Sequence, residues 1–268
     1  MHGLGSSANG WIVPGPNHSL AFLLADRGYD VWIGNARGTS YSKKHVRYDP
    51  ERNPEKFWDF SWHEIGHYDL YSMINYIMNV TQQSQMFYIG HSQGCTCYFA
   101  LMSTRPEMNK HVNLMVALAP GVFFGSPAIT PEFFAFSVFH QIDEHWTLIQ
   151  QTIPDSGSIK QNLHYIQIIL TGEFRQYHLG REENLRKYGL ELPLLYSLNR
   201  VSSPVTLFAG EKDTQARPEN VQKLGTILPN VAELHVVSEF SHVDFLAADS
   251  TVELVFDEIF ALMYNYAK

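Results

Sequence analysis

The pentapeptide Gly90-His91-Ser92-Gln93-Gly94 decides the fold of this chain, because a G-x-S-x-G sequence between a strand and a helix holds a serine at a sharp turn. The preceding residues 85–89 have the apolar pattern of a short buried strand, and residues 95–102 continue as an apolar helix. Glycine is needed on both sides of the serine, since a side chain there would crowd the packing of helix on strand. The sequence therefore predicts a nucleophilic serine, Ser92, exposed above a sheet.

The chain also carries the partners that such a serine needs. A serine hydroxyl attacks well only when a neutral imidazole takes its proton and a buried carboxylate fixes the tautomer of that imidazole. Residues 204–210 predict a buried strand, and Glu211 and Asp213 lie in the loop that leaves it, so either carboxylate could serve. His242 lies in a later loop, between the last predicted strand and the closing helix. The order serine, acid, histidine is typical of α/β-hydrolases.

Other stretches of the chain are long and unusual enough to be compared with known families. They are segments 2–7, 17–26, 28–38, 57–61, 68–70, 90–94, 117–120 and 242–245. In these segments the chain resembles the acid lipase family, the gastric and lysosomal lipases with their insect relatives. Carried over position by position, the resemblance implies that Ser92 is the nucleophile, that Asp213 rather than Glu211 is the acid, and that His242 is the base.

The same resemblance implies the remaining parts of an ester-hydrolysing site. The backbone N–H groups of Leu4 and Gln93 would form the oxyanion hole. This agrees with the chemistry, because one donor follows the nucleophile and the other comes from a glycine-rich loop. The implied substrate is an apolar acyl ester, such as a triacylglycerol or sterol ester, cleaved through an acyl-enzyme without a cofactor. The implied location is secreted or lysosomal.

The order of predicted elements favours an α/β fold, with a mostly parallel central sheet flanked by helices. A helix is predicted at 18–27, a strand at 29–33 and a further strand at 111–118. Because the core pattern stops after that strand and resumes at Pro204, we expect a shortened helical cap inserted before the late strands. The expected division is core 1–120, cap 121–203 and core 204–268.

The expected cap is rich in aromatic residues, and two roles are open to them. Most are expected to pack cap helices onto the core, whereas the functional alternative is an apolar wall for an acyl chain. Between Gly121 and Pro154 the chain is shorter than the family it resembles, so we expect a more open site. The aromatic residues are Phe123, Phe124, Phe133, Phe134, Phe136, Phe139 and Trp146.

Composition restricts the partners of the chain. Its 268 residues, 45% of them hydrophobic, suffice for one sizeable core. The formal charge of −8 and the pI near 5.9 argue against a nucleic-acid partner, because phosphate contacts need clustered Lys and Arg. No apolar run reaches the length of a membrane span, so any contact with lipid is expected to be transient and at a surface. Neither a charged nor an apolar leader precedes His2, so no signal peptide is expected within this chain.

Covalent modification offers two further expectations. Asn17 and Asn79 each begin an N-x-S/T sequon and are candidate glycosylation sites, conditional on passage through the secretory route. Cys95 and Cys97 lie two positions apart on one predicted helix, so their side chains point to different faces. We therefore expect no disulfide between them.

A zinc metallopeptidase is a remote alternative. His63-Glu64-Ile65-Gly66-His67 matches H-E-x-x-H, which places two histidines on zinc with a glutamate as base. However, Ser61 and Glu64 also form a capping-box pattern that explains the glutamate as part of a helix start. We therefore expect no metal site here.

The stronger alternative is a non-catalytic hydrolase-like protein that binds lipid or a partner. The sequence begins at the predicted oxyanion loop, so we expect the family's first strands, including the one leading into His2, to be absent. We expect Met1 to Gly3 to lack an anchoring strand, and Leu4 to hold its N–H poorly as a result.

Overall fold

The computed structural model describes residues 1–125 and 154–267. Within these ranges it contains one sheet of four parallel strands in the order β1-β2-β3-β4. Strands β2 and β3 are buried over nearly their whole length, which is why they appear in the sequence as continuous apolar runs. The strands are β1 (Met86–His91), β2 (Val112–Leu118), β3 (Val205–Gly210) and β4 (Val231–Val237).

Helices connect and cover these strands, so the predicted α/β arrangement with a parallel sheet is confirmed. A π-helical segment, Ile65–Leu70, joins the helices Trp62–Glu64 and Tyr71–Thr81, and another, Val252–Phe256, leads into the helix Asp257–Tyr266. None of the helices in the described ranges is long and apolar enough to cross a membrane. The helices are α1 (Leu20–Asp26), α2 (Pro54–Phe57), α3 (Trp62–Glu64), α4 (Tyr71–Thr81), α5 (Gln93–Thr104), α6 (Ile159–Thr171), α7 (Arg181–Tyr188), α8 (Pro218–Ile227), α9 (Asp244–Ala247) and α10 (Asp257–Tyr266).

Helix α5 forms the centre of the core and carries the residue after Ser92 at its first position. Its residues from Gln93 to Ser103 are all buried, and Cys95 and Cys97 are free thiols, as expected. The π-helical segment packs closely against it, because a Cβ placed on Gly66 would lie only 2.4 Å from the Cys97 carbonyl oxygen. Helix α5 is therefore held between the sheet and a second helical layer.

The predicted strand at 29–33 is wrong. The segment has no strand hydrogen bonding, although Tyr29, Val31 and Ile33 are half-buried and pack against the core. The alternating pattern is that of a strand, but a strand also needs a hydrogen-bonded neighbour, and in the described residues a groove separates this segment from β1. The local pattern therefore predicts the burial of the side chains correctly and the hydrogen bonding of the backbone incorrectly.

Residues 1–3 form no strand, yet hydrogen bonds attach them to β1, a contact that the sequence does not predict. The Met1 amino group donates to the Ile89 carbonyl at 2.6 Å, and the His91 N–H donates to the Met1 carbonyl at 3.1 Å. The side chain of His2 accepts a hydrogen bond from the Ala36 N–H at 3.1 Å. One residue of parallel pairing with β1 and one buried histidine thus hold this segment in place.

The described part of the expected cap, residues 154–203, contains α6 and α7. Of the aromatic residues expected there, Phe123 is buried, and the ring of Phe124 meets that of Tyr165 edge-on, with centroids 5.6 Å apart. Core packing is therefore the observed role of these two. The others, Phe133, Phe134, Phe136, Phe139 and Trp146, lie outside the described residues.

Three of the buried histidines, His2, His91 and His164, have a pKa that is lowered by burial. Burial lowers the pKa of His2 to about 4 and the pKa values of His91 and His164 to about 3, from an ordinary value of 6.5. His164 shows how the neutral form is satisfied: Nδ1 faces the Ser61 hydroxyl at 3.0 Å, and Nε2 faces the Arg175 carbonyl at 2.9 Å. Charging these rings opposes folding, because the folded state excludes the water that would solvate the charge.

These histidines predict that the protein loses stability in mild acid. The unfolded chain takes up their protons near pH 6.5 and the folded chain only near pH 3 to 4, so stability present above 6.5 is lost as the pH falls through that window. Each group contributes a slope of about 1.4 kcal/mol per pH unit to the free energy of unfolding. Denaturant titrations between pH 7 and pH 5 measure it. His164→Gln should reduce the slope; an unchanged slope in a folded His164→Gln variant would contradict this explanation.

Candidate active site

Ser92 lies at the sharp turn between the end of β1 and the start of α5. Its backbone has φ 51° and ψ −113°, a left-handed conformation that is strained for a residue other than glycine. The turn is held from the sheet, because the Ser92 N–H donates to the Leu118 carbonyl at 2.9 Å. The expected strand, turn and helix are therefore present, with the serine at the strained position.

Both glycines of the pentapeptide have the steric role predicted for them. A Cβ on Gly94 would lie 2.2 Å from the Met1 carbonyl oxygen, and one on Gly90 would lie 2.9 Å from the Cys95 nitrogen. These neighbours are backbone atoms, which cannot move aside as a flexible side chain can. The turn can be this tight only with glycine at both positions.

The structure brings Ser92, His242 and Asp213 into one chain of contacts. The His242 Nε2 atom lies 2.8 Å from the Ser92 hydroxyl, and its Nδ1 atom lies 2.8 Å from Asp213 Oδ2. The second carboxylate oxygen, Asp213 Oδ1, accepts from the N–H groups of Gln215 and Ala216 at 2.8 and 2.9 Å. With Nδ1–H directed at the carboxylate, the Nε2 lone pair faces the serine hydroxyl, which is the arrangement needed to remove its proton.

The other carboxylates near this histidine face different partners. Glu211 is exposed and accepts from the Ser238 hydroxyl and the Glu239 N–H. Asp244 is buried, but its Oδ2 atom accepts from the Ser241 N–H at 2.6 Å, at the start of α9. Of these three acids, Asp213 is the one whose carboxylate contacts His242.

The two expected oxyanion donors lie on segments that border Ser92. Gln93 is the first residue of α5, where backbone N–H groups have no acceptor within the helix. The loop before Leu4 passes very close to the serine, since a Cβ on Gly3 would lie 3.2 Å from the Ser92 Cβ. The Gln93 side chain also accepts from Gln161 of α6 at 3.1 Å, so α6 contacts this turn directly.

Comparison of the sequence with known families agrees with this geometry. The profile of the α/β hydrolase fold family matches residues 1–249. The chain belongs to the α/β-hydrolase fold family.

Individual relatives of this α/β-hydrolase are lipases. It is 36% identical over 294 residues to Lipase 1 of Drosophila melanogaster, a match that covers 92% of this chain and 66% of that protein. It is 31% identical over 313 residues to the gastric triacylglycerol lipase of Bos taurus, with 98% of this chain and 78% of that protein covered. The resemblance to the acid lipase family is thus confirmed, over a chain that spans about two thirds of the length of Lipase 1.

A solved structure supports the fold of the α/β-hydrolase independently. The monoacylglycerol lipase of Paleococcus ferrophilus superposes with a TM-score of 0.63 at 17% sequence identity, covering 99% of this chain and 93% of that one. At this identity the likeness concerns the fold alone. It confirms the predicted α/β-hydrolase architecture.

His91 is a residue of this hydrolase site that the sequence analysis missed. Its Nε2 atom lies 2.7 Å from the His242 carbonyl oxygen, and the two rings have centroids 5.1 Å apart. Burial holds the pKa of His91 at about 3, so the ring stays neutral and can donate one hydrogen bond to that carbonyl. His91 therefore fixes the backbone of the loop that carries His242. The variable second position of G-x-S-x-G gives no sequence signal for such a contact.

The H-E-x-x-H residues of the hydrolase face protein groups. The Glu64 carboxylate accepts from the Ser61 N–H at 2.7 Å, so the predicted capping box is confirmed. His63 Nδ1 lies 2.6 Å from the Tyr196 hydroxyl. His67 Nε2 lies 3.2 Å from the guanidinium of Arg105, and this positive charge would repel a metal ion bound at His67. These contacts do not support the zinc interpretation.

Another group of side chains in the described residues comes closer to the geometry of a metal site. Glu233 and His235 of β4 and Glu258 of α10 place one ligand atom each within 4.8 Å of one another. Glu233 is exposed and the other two are half-buried, and the sequence analysis assigned none of them a role. This group of three does not include Ser92, His242 or Asp213.

The two sequon asparagines are both exposed. Asn17 precedes α1, and Asn79 lies in the last turn of α4. Both side chains are therefore accessible to a modifying enzyme, and their glycosylation stays a prediction.

Proposed function

We propose that the protein is a serine ester hydrolase of the lipase type, which cleaves apolar acyl esters such as acylglycerols or sterol esters. The single observation that carries the proposal is the chain of two 2.8 Å contacts from the strained Ser92 through His242 to Asp213. A hydroxyl, an imidazole and a buried carboxylate in this order form the device that activates serine for acyl transfer. Fold and relatives agree with a hydrolase of esters.

In the proposed reaction the Ser92 hydroxyl oxygen bonds to the ester carbonyl carbon as its proton passes to His242 Nε2. The N–H groups of Gln93 and Leu4 hold the resulting oxyanion. The bond to the leaving alcohol then breaks, and the alcohol oxygen takes the proton from His242. A water molecule, deprotonated by the same histidine, then bonds to the acyl carbon. The bond from that carbon to the Ser92 oxygen breaks, the acid leaves, and the Ser92 oxygen takes the proton back from His242. Asp213 holds the Nδ1–H throughout and stabilises the imidazolium.

An apolar substrate is supported by the names of the relatives and by the surface of the cap. The relatives include gastric triacylglycerol lipase and a putative lysosomal acid lipase/cholesteryl ester hydrolase of Crotalus adamanteus. We propose, from these names, a secreted or lysosomal location. Large apolar side chains are exposed on the cap, as transient contact with a lipid surface requires: Ile159, Leu163, Leu170, Leu185, Leu190, Leu192, Leu194 and Leu195.

The division of the chain into core 1–120, cap 121–203 and core 204–268 belongs to the same proposal. Its support is that α6 and α7 lie between β2 and β3 in the chain, and that Gln161 of α6 contacts Gln93 beside the serine. A cap in this place would border Ser92.

A hydrolysis assay with a soluble ester tests the proposal. We expect the protein to cleave soluble p-nitrophenyl butyrate without an oil-water interface, because a shortened cap leaves the site open. Added EDTA should leave the rate unchanged, since no step uses a metal. A sharp rise in rate only at the solubility limit of the ester would contradict the open site. Loss of activity with EDTA, restored by zinc, would favour the metallopeptidase-type centre instead.

A non-catalytic lipid binder is the remaining alternative, and the same assay separates it from the enzyme. Folded protein that binds a fatty acid but releases no p-nitrophenol above the rate of buffer would favour the binder. The short contacts of His242 to both partners favour the enzyme, because a protein that only binds has no need to hold a serine in a strained backbone conformation.

A further inference from the structure

A short segment at the start of α6 contacts both of the segments that carry the expected oxyanion donors. We call this segment, residues 155–161, the brace. At one end of the brace the Asp155 N–H donates to the Gly5 carbonyl at 2.6 Å. At the other end the Gln161 amide donates to Gln93 Oε1 at 3.1 Å. The brace therefore joins the two sides of the expected oxyanion hole.

The orientation of the Gln161 amide is fixed by its place in a capping box. The Ser158 N–H donates to Gln161 Oε1 at 2.9 Å, and because a backbone N–H can only donate, the amide oxygen must face it. The NH₂ group of the same amide consequently faces Gln93 Oε1. Gln161 is 4% exposed and Gln93 is 1% exposed, so water does not compete for the hydrogen bond between them.

The brace is itself attached to distant parts of the chain. The Asp155 carboxylate accepts from the Ser40 N–H at 2.8 Å and from the Ser40 hydroxyl at 2.7 Å. The Ser158 hydroxyl donates to the Trp58 carbonyl at 2.5 Å. Both partners lie in the part of the chain before β1. The brace therefore has a fixed position from which it can hold the residues that it contacts.

The N–H of Gln93 needs a restraint because of its place in α5. Gln93 is the first residue of that helix, and the first N–H groups of a helix have no acceptor within it, so helical hydrogen bonds do not set their direction. The preceding residue, Ser92, has a strained backbone. A side chain anchored at Gln161 limits the rotation of Gln93, and it thereby limits the directions that the Gln93 N–H can take.

We propose that Gln161 is a positioning residue, which directs the Gln93 N–H at the developing oxyanion. In the same way, Asp155 positions the Leu4 N–H through its own N–H and the neighbouring Gly5 carbonyl. This inference rests on the proposed serine hydrolysis. A misplacement of about 1 Å caused outside the reacting groups can cost about 10²-fold in rate. The loss falls on the transition state, because the charge on the carbonyl oxygen develops only during the reaction.

Gln161→Met tests the Gln93 contact, and Gln167→Met is its matched control. Both glutamines lie on α6 and use both ends of the amide, but Gln167 bonds to the His178 backbone. The rate and the end point of fluorophosphonate labelling at Ser92 are measured. We expect Gln161→Met to be labelled at least about tenfold more slowly, with one label per chain at the end, and Gln167→Met to keep the wild-type rate. With a soluble ester, kcat of Gln161→Met should fall by the same factor and KM should change little.

Asp155→Ala tests the other end of the brace. The variant loses the carboxylate that bonds to Ser40, so the Asp155 N–H is held less firmly. We expect labelling to be at least about tenfold slower, again with a complete end point. Asp49→Ala is the matched control, since the Asp49 carboxylate also accepts from two backbone N–H groups, those of Glu51 and Arg52, but in an exposed loop. It should keep the wild-type rate.

A double-variant cycle distinguishes positioning from a general loss of stability. Gln93→Met removes the same hydrogen bond from its other end and leaves the capping box of Gln161 intact. It should slow labelling as much as Gln161→Met does, and the two changes together should slow labelling no further. If Gln161→Met does not fold, the rate of Gln93→Met decides alone.

Three results would overturn the proposal. They are a wild-type labelling rate in Gln161→Met or Gln93→Met, slowing factors that multiply in the double variant, and, for the Leu4 donor, a wild-type rate in Asp155→Ala. Labelling of the wild-type protein at Ser92 with any of these results would leave the proposed hydrolase intact. Wild-type protein that is not labelled at Ser92 would contradict the hydrolase, and this inference with it.

Discussion

Ser92→Ala is expected to abolish ester hydrolysis while leaving the protein folded. Loss of the nucleophile of a serine triad lowers turnover by about a million-fold. The substitution removes only the hydroxyl that lies 2.8 Å from His242 Nε2, and the Ser92 N–H that bonds to Leu118 remains. Alanine adopts the strained turn about as well as serine, so the melting temperature should change little. The measurement is turnover of a soluble ester by purified protein, with circular dichroism to confirm folding.

A second serine provides the matched control for this variant. Ser103 lies on the same helix, buried, with its hydroxyl bonded to the Ala100 carbonyl. Ser103→Ala should retain activity, because that hydroxyl has no contact with His242 or Asp213. If Ser92→Ala kept most of the activity while remaining folded, Ser92 would not be the nucleophile and the proposed mechanism would be wrong.

Asp213→Asn is expected to lower turnover by about 10⁴ without unfolding the protein. The hydrogen bonds of Asp213 explain why. Its Oδ1 atom accepts from the N–H groups of Gln215 and Ala216, so the amide oxygen of the asparagine must take that position. The NH₂ group then faces His242 Nδ1 and donates to it. The imidazole must carry its proton on Nε2, where it can no longer accept the proton of Ser92.

Glu211→Gln is the matched control for this prediction, since Glu211 leaves the same strand but faces Ser238 and Glu239. We expect it to keep near-normal turnover. Steady-state rates with the soluble ester, measured for both variants in parallel, decide between the two acids. A larger loss of turnover in Glu211→Gln than in Asp213→Asn would show that Asp213 is not the acid partner of His242.

The sequence predicted the turn at Ser92 because its requirements are local. Two glycines, an apolar strand and an apolar helix occur within 20 residues. The structure shows the predicted lack of space for a side chain at both Gly90 and Gly94. The choice between Glu211 and Asp213 is different, because the residues alone left both open. It depends on how the loop after β3 folds back, where the Asp213 N–H bonds to the Gly210 carbonyl.

The parts that sequence could not predict depend on contacts between distant segments. The pattern at 29–33 correctly marks which side chains are half-buried, but pairing depends on what lies beside the segment. The role of His91 depends on a contact with the His242 carbonyl, 151 positions later in the chain. Neither periodicity nor motif spacing reports such an encounter.

Ser92 is expected to be an activated nucleophile in the folded protein. Reaction with a fluorophosphonate probe tests it most directly, because the probe modifies a serine hydroxyl only where a base removes its proton and donors hold the developing oxyanion. We expect stoichiometric labelling, which peptide mass spectrometry should locate at Ser92, and much slower labelling of the Asp213→Asn variant. Folded protein that remains unlabelled, or is labelled at another serine, would contradict it.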